Sequence, residues 1–123
     1  MGNKIIHPQE IEVWYILPAI RKELAVSLKQ KGLEQKKIAQ ILGVTEPAVS
    51  YYTNNKRASN LEFSPEIKSE ITKSVMIIEK DKSKVMKEMQ RILSLPQIKK
   101  LICKLHKKEG GAEEDCEICK DCI

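Results

Sequence analysis

Residues 35–54, QKKIAQILGVTEPAVSYYTN, constrain the fold most, because two short helical patterns meet there at a single glycine. Ala39 lies in the first pattern and is small enough to let two helices cross closely. Gly43 lies in the turn, where a positive φ is cheap only for glycine. Val49 occupies the matching apolar position of the second pattern. The stretch therefore predicts two helices joined by a turn of three to four residues.

The apolar side chains of this stretch predict how the two helices pack. The first helix is expected over about residues 34–42 and the second over about residues 45–54, with Thr45 as its N-cap. Glu46 would complement the dipole of the second helix. The side chains expected to fill the wedge between the helices are Ile38, Leu42, Val44, Val49 and Tyr52.

One face of the second helix is expected to point away from this wedge, and it is polar. In helix-turn-helix motifs that face enters the major groove of DNA. Ser50 and Asn54 carry groups that hydrogen-bond to base edges, and Glu46 could accept from a cytosine amino group. Lys56 and Arg57, directly after the helix, suit phosphate contacts. The predicted DNA-binding residues are Gln35, Lys36, Thr45, Glu46, Pro47, Ser50, Tyr51, Asn54, Lys56 and Arg57.

An antiparallel helix pair with a glycine turn and no role in nucleic-acid binding is the alternative interpretation. It leaves the coincidence of cap, wedge, polar outer face and trailing Lys56-Arg57 unexplained, so we favour binding to double-stranded DNA. The first helix of the pair also supports DNA binding, because its N-terminus favours a phosphate. That N-terminus contains Gln35, Lys36 and Lys37.

The longer block LPAIRKELAVSLKQKGLEQKKIAQILGVTEPAVSYYTNNKRA, residues 17–58, resembles the XRE (lambda-repressor/Cro-like) helix-turn-helix class. More narrowly, it is similar to a group of small predicted archaeal transcriptional regulators. Their pattern LP..R..LA..L...G, followed by IA..LG.T..AVS.Y...KR, matches this half of the chain. The resemblance implies a DNA-binding domain of four or five helices that is usually dimeric and acts on an operator. It also implies DNA contacts by Gln35, Thr45, Glu46, Pro47, Ser50, Tyr51 and Arg57.

The chain as a whole predicts an all-α fold, because apolar positions recur at helical spacing and no strand pattern is convincing. Only five of the 123 residues are aromatic, which favours packed amphipathic helices over a β-sandwich. Further helices are expected over about residues 8–17, 18–31, 65–80, 83–93 and 97–108. We predict a DNA-binding domain over 8–60, a helical dimerisation segment over 64–96 and a cysteine-rich metal-binding tail over 97–123.

Two apolar faces carry specific expectations. The opening helix should bury Ile11, Trp14 and Tyr15, and Pro18 should start a new helix or kink the first. The middle helices carry an apolar stripe that either forms a homodimer interface or packs on the same chain. The stripe consists of Ile67, Ile71, Val75, Ile78, Val85, Met86, Met89, Ile92 and Leu93.

Charge is distributed unevenly along the chain. Residues 1–60 carry a net +4 and residues 61–108 a net +6, whereas residues 109–123 carry −5. The basic body suits a polyanion such as DNA, although a lysine-rich helical protein would have the same charge. No apolar run approaches the roughly 20 residues that span a bilayer. The N-terminal residues show no export signal, so we expect a cytoplasmic protein without a membrane partner.

Four cysteines lie near the C-terminus. Cys116, Cys119 and Cys122 have the spacing C-x2-C-x2-C, and Cys103 lies twelve intervening residues upstream. In a reducing compartment such a group points to metal or redox chemistry more than to structural disulfides. The predicted metal ligands are therefore these four cysteines. His106 follows Cys103 by one helical turn, and we expect it to be a partly exposed histidine at a helix end.

Two metals fit this spacing. Three closely spaced cysteines and one remote cysteine are typical of a [4Fe–4S] cluster, which we favour. A structural Zn²⁺ site is the alternative, although it usually uses two C-x2–4-C pairs. Redox-active thiols, or a tail without any ligand, remain open as well.

These observations lead to one functional hypothesis and two alternatives. We expect a dimeric transcriptional regulator whose metal centre senses redox state or iron supply. The alternatives are a DNA-binding or adaptor protein stabilised by zinc, without a redox role, and a small iron–sulfur protein for electron transfer. An enzyme is not expected, because the chain has no Ser/His/Asp arrangement and no glycine-rich phosphate loop.

Overall fold

The computed structural model describes residues 5–54 and 61–108, and the regular structure within these ranges is entirely helical. The all-α prediction is confirmed for this part of the chain. A π-helical turn, Glu12–Ile16, follows the first helix, and a 3-10 turn, Lys82–Lys84, precedes the sixth. The α-helices are α1 (Pro8–Ile11), α2 (Leu17–Gln30), α3 (Gln35–Leu42), α4 (Glu46–Asn54), α5 (Pro65–Lys80), α6 (Val85–Leu93) and α7 (Pro96–Lys108).

The buried apolar side chains of the described residues form one continuous core. Four predicted inner residues of α2, namely Ile20, Leu24, Ala25 and Leu28, are completely buried in it. The core continues from α1 through α7 and includes Phe63, just before α5, which the sequence analysis did not predict. Because burial of apolar surface contributes roughly 25 cal/mol per Å², helices of both halves of the chain depend on the same core.

The chain between α1 and α2 widens into a π-helical turn, which was not predicted. The backbone N–H of Leu17 donates to the carbonyl of Glu12, five residues earlier instead of four. Pro18 accounts for this widening. A proline has no N–H to donate, and its ring would clash with the carbonyl of Trp14, four residues earlier. The extra residue in the turn shifts the positions that face the core.

This shift corrects the predicted inner face of the opening helix. Ile11 is buried as expected, but Trp14 is 47% exposed and Tyr15 is only partly buried. Ile16 takes the inner position instead and is completely buried. The expectation for Trp14 was wrong because it assumed an unbroken α-helical period up to Pro18.

The middle helices use most of their apolar stripe within the chain. Ile67, Ile71, Val75 and Ile78 of α5 are buried in the shared core, as are Ile92 and Leu93 of α6. Val85 and Met89 are partly buried against the same core. Met86 is the exception, since it is 69% exposed. Most of this stripe therefore packs on the same chain, which is one of the two alternatives that the sequence left open.

The start of α5 is confirmed in detail. The Ser64 side chain accepts a hydrogen bond from the backbone N–H of Ile67 at 3.3 Å, and Pro65 occupies the first helical position. Both features stabilise a helix N-terminus, the first by satisfying a free N–H and the second by its fixed φ. Helix α5 therefore begins at the residue that the sequence predicts.

A buried polar network joins α5 to α6. The Ser74 hydroxyl donates to Oε1 of Glu88 at 2.7 Å, and Nε of Arg91 donates to the same oxygen at 3.0 Å. The Arg91 guanidinium also contacts Oε1 of Glu70 at 2.6 Å. Burial raises the pKa of Glu88, but the hydrogen bonds from Ser74 and Arg91 outweigh burial and hold that pKa below its usual value. The carboxylate is therefore held in its charged form, and its Oε1 accepts both hydrogen bonds.

His106 connects α7 to the N-terminal segment. It is 3% exposed, and its Nε2 is hydrogen-bonded to the backbone carbonyl of Ile6. Because a carbonyl only accepts, Nε2 carries the proton in this contact. The expectation of a partly exposed histidine is wrong, since α7 packs on α1 and covers this side chain.

Among the described helices, none combines the length and the apolar composition that a membrane-spanning segment requires.

Glu88→Gln is expected to remove an acid-sensitive part of the stability. The folded-state pKa of Glu88 is lowered, so its charge stabilises the fold above the unfolded pKa of about 4.3 and this contribution is lost as the pH falls through the folded pKa. At pH 7 the variant should lose about 1–2 kcal/mol of unfolding free energy in urea. The deficit should shrink as the pH is lowered below about 4.

Glu79→Gln is the control, because Glu79 is an exposed acid near the end of α5, the helix that packs on α6. It should leave the pH dependence of unfolding unchanged. Identical acid profiles for Glu88→Gln and wild-type protein would contradict the network described here.

Candidate nucleic-acid interface

A left-handed residue ends α3 and turns the chain towards α4. Gly43 has φ 68° and ψ 34°, and the N–H of the next residue, Val44, donates to the carbonyl of Ala39 at 3.0 Å. This is a common way to end a helix, and glycine adopts the conformation without steric cost. Only Gly43, Val44 and Thr45 separate the two helices. The turn therefore has the predicted length.

The side chains between α3 and α4 are apolar and buried. Ile38 is completely buried, and Ala39 and Val49 are 6% and 1% exposed. Leu42, Val44 and Tyr52 are partly buried against the same core. Helix α4 also packs on α2, which lies behind both helices. The predicted wedge is present, and it fixes α3 and α4 relative to the rest of the chain.

Two polar contacts fix the start of α4. The Thr45 hydroxyl accepts a hydrogen bond from the N–H of Ala48 at 3.2 Å, as expected for an N-cap. The side-chain amide of Gln35 donates to the backbone carbonyl of Glu46 at 3.1 Å. This second contact links the first turn of α3 to the first turn of α4. The two helix N-termini, which favour anions, are therefore joined.

The outer face of α4 is polar and accessible. Glu46, Pro47 and Asn54 are exposed, Ser50 is partly buried, and the side chain of Tyr51 is 50% exposed. Gln35, Lys36 and Thr45 are exposed beside them. Thus eight of the ten predicted DNA-binding residues lie in the described part of the chain, on α3, α4 and the connecting turn. The other two, Lys56 and Arg57, lie outside the described residues.

Internal contacts organise this face. Nδ2 of Asn54 donates to the Ser50 hydroxyl at 3.0 Å, one helical turn earlier. The rings of Tyr51 and Tyr52 meet edge to face, with centroids 6.2 Å apart. Since Tyr52 is part of the buried wedge, this contact limits the motion of the exposed Tyr51 ring. The face presents an amide, a hydroxyl and a phenol in a defined order along one helix.

The predicted metal ligands fall largely outside the described residues. Cys103 is a partly buried free thiol on α7, whereas Cys116, Cys119 and Cys122 lie in the range 109–123. Within residues 5–54 and 61–108, no group of three or more histidine, cysteine or acidic side chains is placed to hold a metal ion. A metal centre would therefore need the cysteines that follow α7.

One basic pair was not predicted. Lys37, on the first turn of α3, lies beside Lys82 of the 3-10 turn before α6. The two are 45 positions apart in sequence, so no helical period relates them. Lysine enrichment over residues 61–108 was the only sequence signal, and it did not identify a partner for any particular lysine.

No protein-family model, curated protein or solved structure matches this chain. The resemblance to the XRE helix-turn-helix class therefore depends on the residues of the sequence pattern alone.

Gly43→Ala is expected to destabilise the protein by about 1 kcal/mol, because an alanine at positive φ brings its Cβ close to the following carbonyl oxygen. An added Cβ meets no other group within 4 Å, so backbone strain is the cost in the folded state. The lower entropy of an unfolded chain with alanine offsets part of that cost. Gly43→Asn should cost less, since asparagine tolerates this conformation better. Urea unfolding of the two variants measures the difference. Equal stability of Gly43→Ala and wild-type protein would rule out a left-handed turn here.

Proposed function

We propose that this protein is a sequence-specific DNA-binding transcriptional regulator that inserts α4 into the major groove. The observation that carries the proposal is the accessible polar face of α4 beside the buried, glycine-turned crossing with α3. Helix-turn-helix proteins read DNA with the corresponding face of their second helix. Here Ser50, Tyr51 and Asn54 would contact bases or phosphates, with Glu46 and Pro47 at the entry of the helix.

Electrostatics supports the same orientation. The first turns of α3 and α4 are joined through Gln35, and free N–H groups at helix N-termini attract phosphates. Lys36 is exposed next to this junction, and Lys56 and Arg57 follow α4 in the sequence. With a net +10 over residues 1–108, the body of the protein would attract DNA over several ångströms at moderate salt.

Membership of the XRE class and a homodimeric state are part of the proposal. Both follow from the sequence resemblance, in which dimers bind paired half-sites. Much of the apolar stripe first assigned to a dimer interface is used inside the chain. Met76 and Met86, which are 51% and 69% exposed, remain accessible on the middle helices.

We further propose that Cys103, Cys116, Cys119 and Cys122 bind a metal centre that regulates DNA binding. The cysteine spacing supports a [4Fe–4S] cluster, with Zn²⁺ as the alternative. Cys103 lies on α7, the helix that His106 joins to the N-terminal segment. A change of ligation at Cys103 could therefore be transmitted to the packing of α7 on α1, which makes redox state or iron supply the proposed signal.

Tyr51→Ala is expected to weaken binding of the full chain to duplex DNA about tenfold, which corresponds to about 1.4 kcal/mol. Removal of the phenol takes away a contact with a base or a phosphate. Met76→Ala is the matched control, since the two side chains are 50% and 51% exposed on different helices. Fluorescence anisotropy with a labelled duplex of mixed sequence measures both affinities, and thermal unfolding shows whether both variants remain folded.

Equal affinity of Tyr51→Ala and Met76→Ala would argue against α4 as the DNA-contacting helix. Absence of any salt-sensitive DNA binding by the wild-type chain would favour the two rivals, an adaptor protein stabilised by zinc and an electron-transfer protein.

Protein purified without oxygen is expected to contain about four iron and four sulfide ions per chain, with a broad absorption band near 400 nm. Cys103→Ser should reduce both contents, because it removes the remote ligand. A content of one zinc ion and no iron per chain would indicate a structural zinc site instead of the cluster. Metal-free protein with unchanged DNA affinity would exclude a metal centre as the regulator.

A further inference from the structure

Two lysines from distant parts of the sequence line one open cleft. Lys37 projects from the first turn of α3, and Lys82 from the 3-10 turn that precedes α6. The cleft has a volume of about 380 Å³ and lies where these two elements meet. Its remaining lining residues are Gln40, Ile41, Ser83 and Val85.

The two lysine side chains are close to one another, and their charges are unfavourable together. The nearness of the Lys37 side chain lowers the pKa of Lys82, and burial and the like charge add to the effect. No acidic side chain of the described ranges forms an ion pair with either lysine, because the ion pairs there involve Glu70 and Glu88.

Asp81, the acid next to Lys82 in the sequence, makes its hydrogen bonds within the 3-10 turn. Oδ1 of Asp81 accepts a hydrogen bond from the backbone N–H of Ser83 at 3.1 Å and another from its hydroxyl at 2.6 Å. These contacts hold the 3-10 turn in shape and keep the Asp81 carboxylate at the start of that turn. Among residues 5–54 and 61–108, the repulsion between Lys37 and Lys82 therefore has no counter-charge in direct contact.

We propose that Lys37 and Lys82, with the amide of Gln40, form a phosphate-binding site and that its occupant is a phosphate of the DNA backbone. Two ammonium groups and a neutral amide donor suit an anion with several acceptor oxygens. A bound phosphate would also remove the repulsion between the lysines, so binding would stabilise the folded protein.

The position of the site favours DNA as the source of the phosphate. Lys37 lies two residues after Gln35, which joins the first turns of α3 and α4. Both residues belong to the first turn of α3, so the site starts at the same helix end as the proposed DNA-binding face and extends towards the middle helices. This DNA assignment rests on the proposed function, whereas binding of free inorganic phosphate to the same residues does not.

The middle helices hold Lys82 in place for this role. The 3-10 turn leads directly into α6, and α6 is attached to α5 through Glu88 and Arg91. On this proposal, Lys82 gives the middle helices a direct contribution to DNA affinity, which the helix-turn-helix pattern in the first half does not include.

Lys82→Gln and the charge-matched control Lys99→Gln, an exposed lysine on α7, test the site in the full chain. The first measurement is the thermal midpoint in sodium phosphate and in sodium chloride at equal ionic strength. Phosphate stabilises folded proteins in general, so all three proteins should gain stability relative to chloride. Wild-type protein and Lys99→Gln should gain more than Lys82→Gln, which lacks the specific site. Lys82→Gln removes a like charge from the cleft, so it is expected to remain folded.

The second measurement is the salt dependence of binding to duplex DNA. Loss of one phosphate contact should reduce the steepness of log Kd against log salt by about 0.9 in Lys82→Gln. Lys99→Gln should keep the wild-type slope. A reduced slope in Lys82→Gln alone supports a backbone phosphate as the occupant.

Together, the two measurements distinguish a DNA phosphate from free phosphate as the occupant. They also distinguish failure of the anion site from failure of the proposed DNA-binding function. A smaller gain from phosphate in Lys82→Gln with an unchanged DNA slope would support the anion site and identify a free phosphate as its occupant. If Lys82→Gln and Lys99→Gln behave alike in both measurements, the site is overturned. Wild-type protein that binds no DNA would refute the proposed function, and the thermal measurement would still decide the anion site.

Discussion

The left-handed turn at Gly43 fixes how α3 and α4 cross, and the proposed interface depends on that crossing. With only three residues between the helices, Ala39 and Val49 are brought into the same buried wedge. That wedge decides which side of α4 faces the core and hence which side faces outward. The buried contacts set the outward direction of Ser50, Tyr51 and Asn54, and the proposed DNA contacts depend on that direction.

The sequence patterns correctly predicted those features that depend only on residues close together in the sequence. The cap at Thr45, the Ser64-Pro65 start of α5 and the inner face of α2 each depend on residues within one or two turns, so the sequence was sufficient. The π-helical turn before Pro18 was missed because a helical period gives no sign of an inserted residue. It moved Trp14 outward and Ile16 inward, although a proline at this position offered a reason to expect a break.

Contacts between distant segments could not be predicted from periodicity. Glu88 is a charged residue that the fold buries, because Ser74 of α5 lies opposite it and Arg91 lies one turn later on α6. Arg91 in turn reaches Glu70 of α5, 21 positions earlier. His106 and Ile6 are separated by a hundred positions, and helices α1 and α7 lie at opposite ends of the described sequence. The same limit applies to Lys37 and Lys82. The cysteine centre stays a prediction, because three of its four proposed ligands lie outside the described residues.

The central claim is that α3 and α4 form the DNA-binding surface. Amide chemical-shift mapping of the isotope-labelled full chain during titration with duplex DNA tests it most directly. The account predicts the largest shifts at residues 35–37 and 45–54, with smaller shifts near Lys82 and little change along the outer face of α7. Shifts concentrated elsewhere, or no shift at saturating DNA, would contradict it.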